Sequence, residues 1–592
     1  MPRYTAPLRD MRFVMFELLD AENALKAMPK YADLDVDTIN AVLEEAAKFA
    51  EQVAFPLNQI GDREGCTISD GVVTTPTGFK EAYKRFVEDG WPALSCDPKF
   101  GGQGLPVLMN NRLYEMLNSA SQAWLMYSGL SHSAYECLKA IGTPEQQSVY
   151  LPKLVSGQWS GTMCLTEPQC DTDLGLMKTR AEPRGDGSYA ITGTKIFISS
   201  GEHDCTENIL HLVLARLPDA PSGTKGISLF LVPKFVPDER GEIGERNGIK
   251  AGSLEHKMGI RGNATCLMNL DGARGWLIGE AHKGLAAMFI MMNSARLGVG
   301  MQSLGLAEVA HQNAAAYAKE RVQGRSLRGP QQPDKSADSI LVHPDVRRML
   351  LTSRAYTEGG RALTCWTALL TDQALWHPDA SVRKDSEDLI ALLTPVVKAF
   401  ITDNTFETTN LCLQVLGGHG YIAEWGMEQY VRDARINTIY EGTNAVQAMD
   451  LLGRKVMFDN GEKLGKFAAI VQRFVAEHSG DSAMEEFLAP LGSLLGDVLK
   501  LTAELGARAK TDPDEIGAAA TSYLRLVGHL AYAWLWARMA HAASAHSGEM
   551  FYDAKLATAR FYFARLLPET AALLQTARSG ASSLMTMPAE AM

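Results

Sequence analysis

The chain has 592 residues and a mass of 64.5 kDa, too long for one hydrophobic core, so two to four domains are expected. Hydrophobic residues make up 46% and charged ones 21%, the balance of a globular protein, and a net charge of −12 excludes the generally basic surface that nucleic-acid binding requires. The nine cysteines stand singly with no CxxC, and the thirteen histidines show no HExxH, so reduced thiols in a cytoplasmic setting are expected and a metal site is not.

The opening "MPRYTAPLRDMRFVMFELLD" carries Arg9, Asp10 and Arg12 and lacks a signal-peptide core. No run of 18 apolar residues occurs, so no membrane-spanning helix is expected. From Asp37, "DTINAVLEEAAKFAEQVAFPLN" spaces Ile39, Val42, Ala46, Phe49 and Val53 three or four apart, which predicts an amphipathic helix ended by Pro56. Helical patterns continue to about residue 160, broken by the glycine-rich loop 97–106.

The texture then changes. "YAITGTKIFIS" (189–199), "NILHLVLAR" (208–216) and "GISLFLVPK" (226–234) are short, rich in β-branched residues and separated by turn-forming stretches, which predicts antiparallel strands. No GxGxxG joins a strand to a helix, which argues against a Rossmann domain. Helical periodicity returns near residue 286, where Leu297, Met301 and Leu304 share a face. Exposed loops are expected at 326–339 and 372–386, and an Ala/Leu-rich helical tail follows 477–484. The chain therefore reads as α+β, mostly α, with segments 1–160 (helical), 161–285 (β), 286–460 (helical) and 461–592 (helical).

Four stretches carry chemistry only when read together: "GTMCLTEPQCDTDLG" (161–175), "GTKIFISSGEHD" (193–204), "ARLGVG" with "YAKERVQGR" (295–325), and "LQVLGGHGYIAEWGMEQYVRDARINTIYEGTNAVQ" (413–447). In this order they resemble the acyl-CoA dehydrogenase family over roughly residues 40–455. The resemblance implies an N-terminal helical domain, a central β domain and a four-helix bundle, with FAD bound between the β domain, the bundle and a neighbouring subunit. Carried over by position, it implies that Thr166 and Thr172 contact the flavin and its pyrophosphate. Phe197 would pack on the isoalloxazine, and the Ser199 hydroxyl would reach flavin N5. Arg321 would pair with the pyrophosphate, where a guanidinium fork suits two phosphate oxygens. Gln414, Gly417 and Gly418 would meet the adenine end from the partner subunit, and Thr443 would lie on the cofactor side. Arg296 and Asn293 would meet the CoA adenine and ribose, with Tyr440 and Gly442 beside the acyl chain.

The reaction implied is α,β-dehydrogenation of an acyl-CoA thioester. Glu441 of "YEGT" would be the α-proton base, its backbone N–H a donor to the thioester oxygen, and flavin N5 the hydride acceptor. In some members the base stands on another helix, at the position of Ala295 here, so no acid competes. Three departures bear on single contacts. "EPQCDTD" puts Gln169, Cys170 and Asp171 in a loop that is usually small and neutral, Asn293 replaces an Asp, and Ala445 replaces a Gln. An Asp171 carboxylate near a pyrophosphate would be unfavourable unless it points away.

The long tail and the "YTAPLRDMRFVMFELLD" opening resemble a subgroup of long members that includes 3-methylmercaptopropionyl-CoA dehydrogenases and fatty-acyl-CoA dehydrogenases. The resemblance implies a homodimer and an electron-transfer flavoprotein as electron acceptor, with neither nucleic acid nor a membrane span among the partners. A short sulfur-containing thioester, 3-(methylthio)propanoyl-CoA, is the first choice of substrate, with medium- or long-chain fatty acyl-CoA next. An acyl-CoA oxidase and a catalytically silent acyl-CoA-binding scaffold are the competing readings.

Overall fold

A computed structural model describes residues 2–592. Two short helices, Leu8–Arg12 (α1) and Ala21–Lys26 (α2), lead into Val36–Phe49 (α3), which buries Ile39, Leu43, Ala46 and Phe49. Pro56 does not end the helical path: the chain widens into a π-helical stretch, Ala50–Ala54, and resumes as Leu57–Glu64 (α4), with Pro56 at its N-cap. Proline is tolerated there because the first-turn N–H has no intrahelical partner. A hairpin of Thr67–Ser69 (β1) and Val72–Thr74 (β2) precedes Phe79–Glu88 (α5), Val107–Ile141 (α6) and Pro144–Val155 (α7).

The β region holds Trp159–Cys164 (β3), Arg180–Pro183 (β4), Tyr189–Ser199 (β5), Asn208–Arg216 (β6), Ile227–Pro233 (β7), Phe235–Pro237 (β8), Ile243–Arg246 (β9), Ile249–Leu254 (β10) and Thr265–Ile278 (β11). Seven of these form one sheet in the order β10-β11-β5-β4-β6-β3, and β7 pairs with both β11 and β6 to close a ring. The sheet is not wholly antiparallel. β3 runs parallel to β6, from Trp159 beside Asn208 to Cys164 beside Val213. A parallel pair needs a long crossover, here the segment that carries β4 and β5. β6 and β7 are buried along almost their whole length, which is why they read as continuous apolar runs.

The remaining helices are Gly284–Glu320 (α8), Pro344–Trp376 (α9), Ala380–Leu416 (α10), Met427–Asn437 (α11), Asn444–Met449 (α12), Glu462–His478 (α13), Glu485–Arg508 (α14), Asp514–Ser544 (α15), Met550–Phe561 (α16), Glu569–Arg578 (α17) and Ser582–Met585 (α18). The loop expected at 372–386 is a turn of only three residues. His377–Asp379 separate α9 from α10, and the Asp379 carboxylate caps α10 by accepting from the Ser381 N–H at 2.8 Å. Segment 326–339 is a loop, gathered around buried Asp338, which accepts from the N–H groups of Ser326, Gln331 and Gln332. By length and composition α8 and α10 could cross a bilayer; 78% of the α10 window is buried in the fold, which marks it as a core helix.

The chain divides into two compact units. One comprises residues up to Ala47, Asn111–Ser119 and Val299–Met592; the other comprises Lys48–Asn110 and Ala120–Gly298. In the first, α9 and α10 pack as an antiparallel hairpin and α15 lies against both. The approach is close. A Cβ at Gly359 would stand 2.6 Å from the Tyr532 ring, and one at Gly528 would stand 2.4 Å from the Phe400 ring. A buried ion cluster joins distant segments of the same unit. Arg361 pairs with Glu115, Glu308 and Asp10, and Lys555 pairs with Asp10 and with Glu358. In the second unit Phe49, Phe86, Trp91 and Trp124 pack edge-on or tilted against one another.

Gly528→Ala should lift α15 off Phe400 and cost about 1–3 kcal/mol, the usual range for overpacking. Chemical denaturation and limited proteolysis of the tail should register it, whereas wild-type behaviour would refute the close approach.

Candidate active site

In the β-containing unit, β3 runs into a tight turn in which Glu167 and Cys170 exchange backbone hydrogen bonds of 2.7 and 3.0 Å around Pro168 and Gln169. Glu167 is buried and accepts from Lys195 Nζ (2.8 Å), from the Lys178 and Thr179 N–H groups (2.8 and 3.0 Å) and from Gln169 Nε2 (2.6 Å). Burial alone would raise its carboxyl, but the Lys195 charge and these donors hold it down at about 2. Lys195 lies on β5 with no solvent exposure and also donates to the Leu165 carbonyl at 3.0 Å. The pair therefore fastens the loop that bears Thr166 and Thr172 to the strand that bears Phe197 and Ser199. The Ile196 N–H closes the same junction on the Thr166 carbonyl at 2.9 Å.

A β-bulge changes the course of β5 at that point. Cys266 faces Ile198 and Met268 faces Lys195, so Ile196 and Phe197 share one position opposite β11. Phe197 has φ of +59° and is 59% exposed, unusual for an aromatic residue inside a strand. Ser199 is half-buried and Thr172 exposed. Asp171 lies beside the Thr166 hydroxyl, which donates to it at 3.2 Å. In the same unit Arg296 is 6% exposed, donates to Asn293 Oδ1 at 3.4 Å and faces the Phe289 ring; Ala295 is buried and Asn293 exposed.

In the helical unit, α11 ends at Asn437 and the chain turns sharply before α12. Glu441 (φ +58°) and Gly442 (φ +85°) are consecutive left-handed residues. For glutamate this conformation costs on the order of 1–2 kcal/mol, so the surrounding bonds must impose it. The Asn444 N–H closes on the Thr438 carbonyl at 3.2 Å, and buried Gln447 donates to the Glu441 carbonyl at 3.1 Å. The Tyr440 hydroxyl is tied to Gln302 and, at 2.9 Å, to Asn437, whose amide donates to Ser303 at 3.0 Å. Thr443 is the N-cap of α12 and accepts from the Val446 N–H at 3.4 Å.

Arg321 stands exposed just beyond α8, with no ion pair among the described residues. Gln414 is exposed on the last turn of α10, and Gly417 (φ +59°) is its C-cap. No atom lies within 4 Å of where a Cβ would stand on Gly417 or Gly418, so contacts inside the chain do not require glycine at 418. The site residues named from sequence thus fall into two sets: Thr166, Thr172, Phe197, Ser199, Asn293 and Arg296 in one unit, and Arg321, Gln414, Gly417, Gly418, Tyr440, Glu441, Gly442 and Thr443 in the other. Each set by itself suits part of a flavin dinucleotide: in the β-containing unit, hydroxyls at Thr172 and Ser199 beside a ring turned out of its strand; in the helical unit, an exposed guanidinium at Arg321 and glycines opening on free space.

Family models match almost the whole chain. The N-terminal, middle and C-terminal acyl-CoA dehydrogenase domains match 37–158, 162–273 and 282–456, and an "Acetyl-CoA dehydrogenase C-terminal like" domain matches 467–588. The chain is 42% identical to a 3-methylmercaptopropionyl-CoA dehydrogenase of Ruegeria pomeroyi, over 98% of this chain and 99% of that one. It is 37% identical to the broad-specificity linear acyl-CoA dehydrogenase FadE5 of Mycobacterium tuberculosis, over 96% of each. The fold matches an acyl-CoA dehydrogenase complexed with FAD from Bacillus anthracis with a TM-score of 0.74 at 20% identity, covering 93% of this chain and 90% of that one. This chain belongs to the acyl-CoA dehydrogenase family. It is an FAD-dependent oxidoreductase of acyl-CoA thioesters, as the four motifs implied.

Sequence reading missed the Glu167–Lys195 pair and the Asn444 and Gln447 contacts. A lysine inside an apolar strand was the only available signal for the first. Because the Glu167 carboxyl is depressed from 4.5 to about 2, its stabilisation is complete above about pH 4.5 and is lost as pH falls toward 2. Denaturation midpoints measured across that window should fall for the wild type and stay flatter for Glu167→Gln. That variant should also lose about 3–5 kcal/mol near neutral pH, because Lys195 is left buried without its counter-charge.

Proposed function

We propose that this enzyme removes the α-proton of its thioester with Glu441 and that its substrate is 3-(methylthio)propanoyl-CoA. The observation that carries the catalytic part is the Glu441–Gly442 turn, a glutamate held left-handed by contacts from three sides. Exposed Asp20, Asp70 and Asp219 also adopt this conformation, which a short polar side chain tolerates; Glu441 is the one glutamate that does so among the described residues, and the longer side chain must be held there by its contacts.

An α-hydrogen beside a thioester carbonyl is weakly acidic, so the carboxylate must be in line with it while donors meet the oxygen on which enolate charge develops. Glu441 takes the proton and becomes a carboxylic acid; its backbone N–H donates to the thioester oxygen. Gly442 lets the thioester approach the backbone, and Tyr440 excludes water from the carboxylate, which raises its basicity. FAD, when bound, supplies the acceptor for the β-hydride, so proton and hydride together account for the new double bond. Thr166, Ser199 and Phe197 would orient its ring, Thr172 and Arg321 would hold its pyrophosphate, and Gln414, Gly417 and Gly418 would meet its adenine end from a partner subunit. Thr443 lies on the same side, and Arg296 with Asn293 takes the CoA nucleotide. An electron-transfer flavoprotein would be the electron acceptor, in a cytoplasmic setting.

The substrate rests on the name of the relative at 42% identity. The broad-specificity linear acyl-CoA dehydrogenase at 37% supports the second reading, a fatty acyl-CoA. A homodimer is supported by the exposed apolar run after Gly418, where Tyr421 is 81% exposed beside Ile422 and Trp425, and by the tail docked on its own bundle.

Glu441→Gln should keep FAD and lose about 10²–10⁴-fold in anaerobic flavin bleaching; wild-type rates would move the base elsewhere. The kcat/KM for 3-(methylthio)propanoyl-CoA should exceed that for straight-chain thioesters, and the reverse order would favour the fatty-acyl reading. Rapid reoxidation by oxygen alone would identify an oxidase. Light scattering should give twice the chain mass of 64.5 kDa; four times that mass would contradict the dimer.

A further inference from the structure

The geometry points to Asn444 as the positioning residue of the catalytic turn, seated in a cradle on α10 that the C-terminal helices brace from behind. This rests on Glu441 being the base. Asn444 is the first residue of α12, three positions after Glu441, and its side chain is engaged at both polar atoms. Its Oδ1 accepts from Lys398 Nζ at 2.8 Å. Its Nδ2 donates to Asp403 Oδ1 at 2.6 Å and to Thr402 Oγ1 at 2.8 Å, and lies 3.3 Å from the Ala399 carbonyl. A capping turn does not need four contacts from one amide. Lys398 and Thr402 have no solvent exposure, so the cradle has been built at the expense of burying a cation. With the Asn444 N–H on the Thr438 carbonyl and Gln447 on the Glu441 carbonyl, the left-handed turn is fixed at both ends.

The other side of α10 faces the tail. Lys398, Ala399, Thr402 and Asp403 are spaced along one side of the helix, whereas Phe400 and Asn404, four apart, point elsewhere. Arg525 of α15 donates to Asn404 Oδ1 at 3.1 Å and makes a two-pronged pair with Glu569 of α17. The Phe400 ring sits 5.0 Å from the His529 ring and 4.9 Å from the Tyr532 ring, over the glycine gap at Gly528. The stretch 398–404 is therefore gripped between the turn that carries Glu441 and helix α15. Burial pushes the Asp403 carboxyl upward, while Asn444 and the Arg525 charge draw it back, so both neighbours act on one group. This gives the C-terminal extension a part in the reaction: it sets the platform on which the base is aimed.

The test uses the full-length, FAD-loaded enzyme with a thioester that bleaches its flavin, and with the same thioester deuterated at the α-carbon. Asn444→Ala should lower kcat by up to about 10²-fold, the scale of a small misplacement of a catalytic group. KM should change little, the flavin spectrum should be unchanged, and the α-deuterium isotope effect on bleaching should rise. Asn444→Asp should lose activity through repulsion with Asp403, and the swapped pair Asn444→Asp with Asp403→Asn, which reverses donor and acceptor, should recover most of it. Arg525→Met should give a smaller loss that is not additive with Asn444→Ala. If Asn444→Ala fails to fold, the swapped pair and Arg525→Met decide. Wild-type kcat and isotope effect in Asn444→Ala or, failing that, no recovery in the swapped pair and no loss in Arg525→Met, overturn the inference alone, provided that Glu441→Gln is inactive. A fully active Glu441→Gln overturns the base assignment and this inference with it.

Discussion

Arg361 is buried in the helical unit and holds three carboxylates: Glu115 from α6, Glu308 from α8 and Asp10 from the N-terminal segment. Lys555 of α16 completes the cluster by sharing Asp10 and adding Glu358 of α9. Burial works against the charged form of Asp10, but the two cations hold its carboxyl at about 2. Such a cluster is a poor source of net stability, because desolvation offsets much of the attraction. Its value is specification. Removing any member leaves an uncompensated buried charge, so only one mutual arrangement of the N-terminal segment, the bundle and the tail satisfies all of them. The cluster borders the docked α15, whose Trp536 ring lies 5.8 Å from Lys555 Nζ.

The same logic recurs in the two parts that hold the candidate site residues. In the β-containing unit, Glu167 and Lys195 form a buried pair that fixes a loop to a bulged strand, and the bulge presents an aromatic ring to the outside. In the helical unit, Asn444 and Gln447 fix a turn whose strained residue is the glutamate that the family resemblance singles out. Each place departs from local preference, φ of +59° at Phe197 and +58° at Glu441, and each is held by buried polar contacts rather than by propensity.

Much of the fold was legible because its elements obey local rules. β6 and β7 are buried along their length and so appear in the sequence as unbroken apolar runs. Ile39, Ala46 and Phe49 of the buried α3 face followed from spacing, whereas Val42 and Val53 are only half-buried and Leu43 takes the core position. The errors share one cause, tertiary context overriding punctuation. Pro56 sits where a proline costs nothing, and the stretch expected as a loop at 372–386 needs only His377–Asp379 to reverse direction. The parallel pairing of β3 with β6 has no local signature. Glu441, Thr166 and Arg321 are singled out only by the combination of four motifs, each weak alone, and their roles are part of the proposal. Lys195 with Glu167 and Asn444 with Asp403 lie 28 and 41 positions apart, and no pattern in one sequence announces such partners.

On the proposed mechanism Glu441 takes the α-proton. The most direct measurement separates that step from hydride transfer by using 3,3-dimethylbutanoyl-CoA, which has α-hydrogens and no β-hydrogen. Incubated in deuterium oxide with the FAD-loaded enzyme, this thioester should exchange its α-hydrogens, and the exchange should vanish with Glu441→Gln. Exchange by Glu441→Gln at the wild-type rate would place the base on another residue.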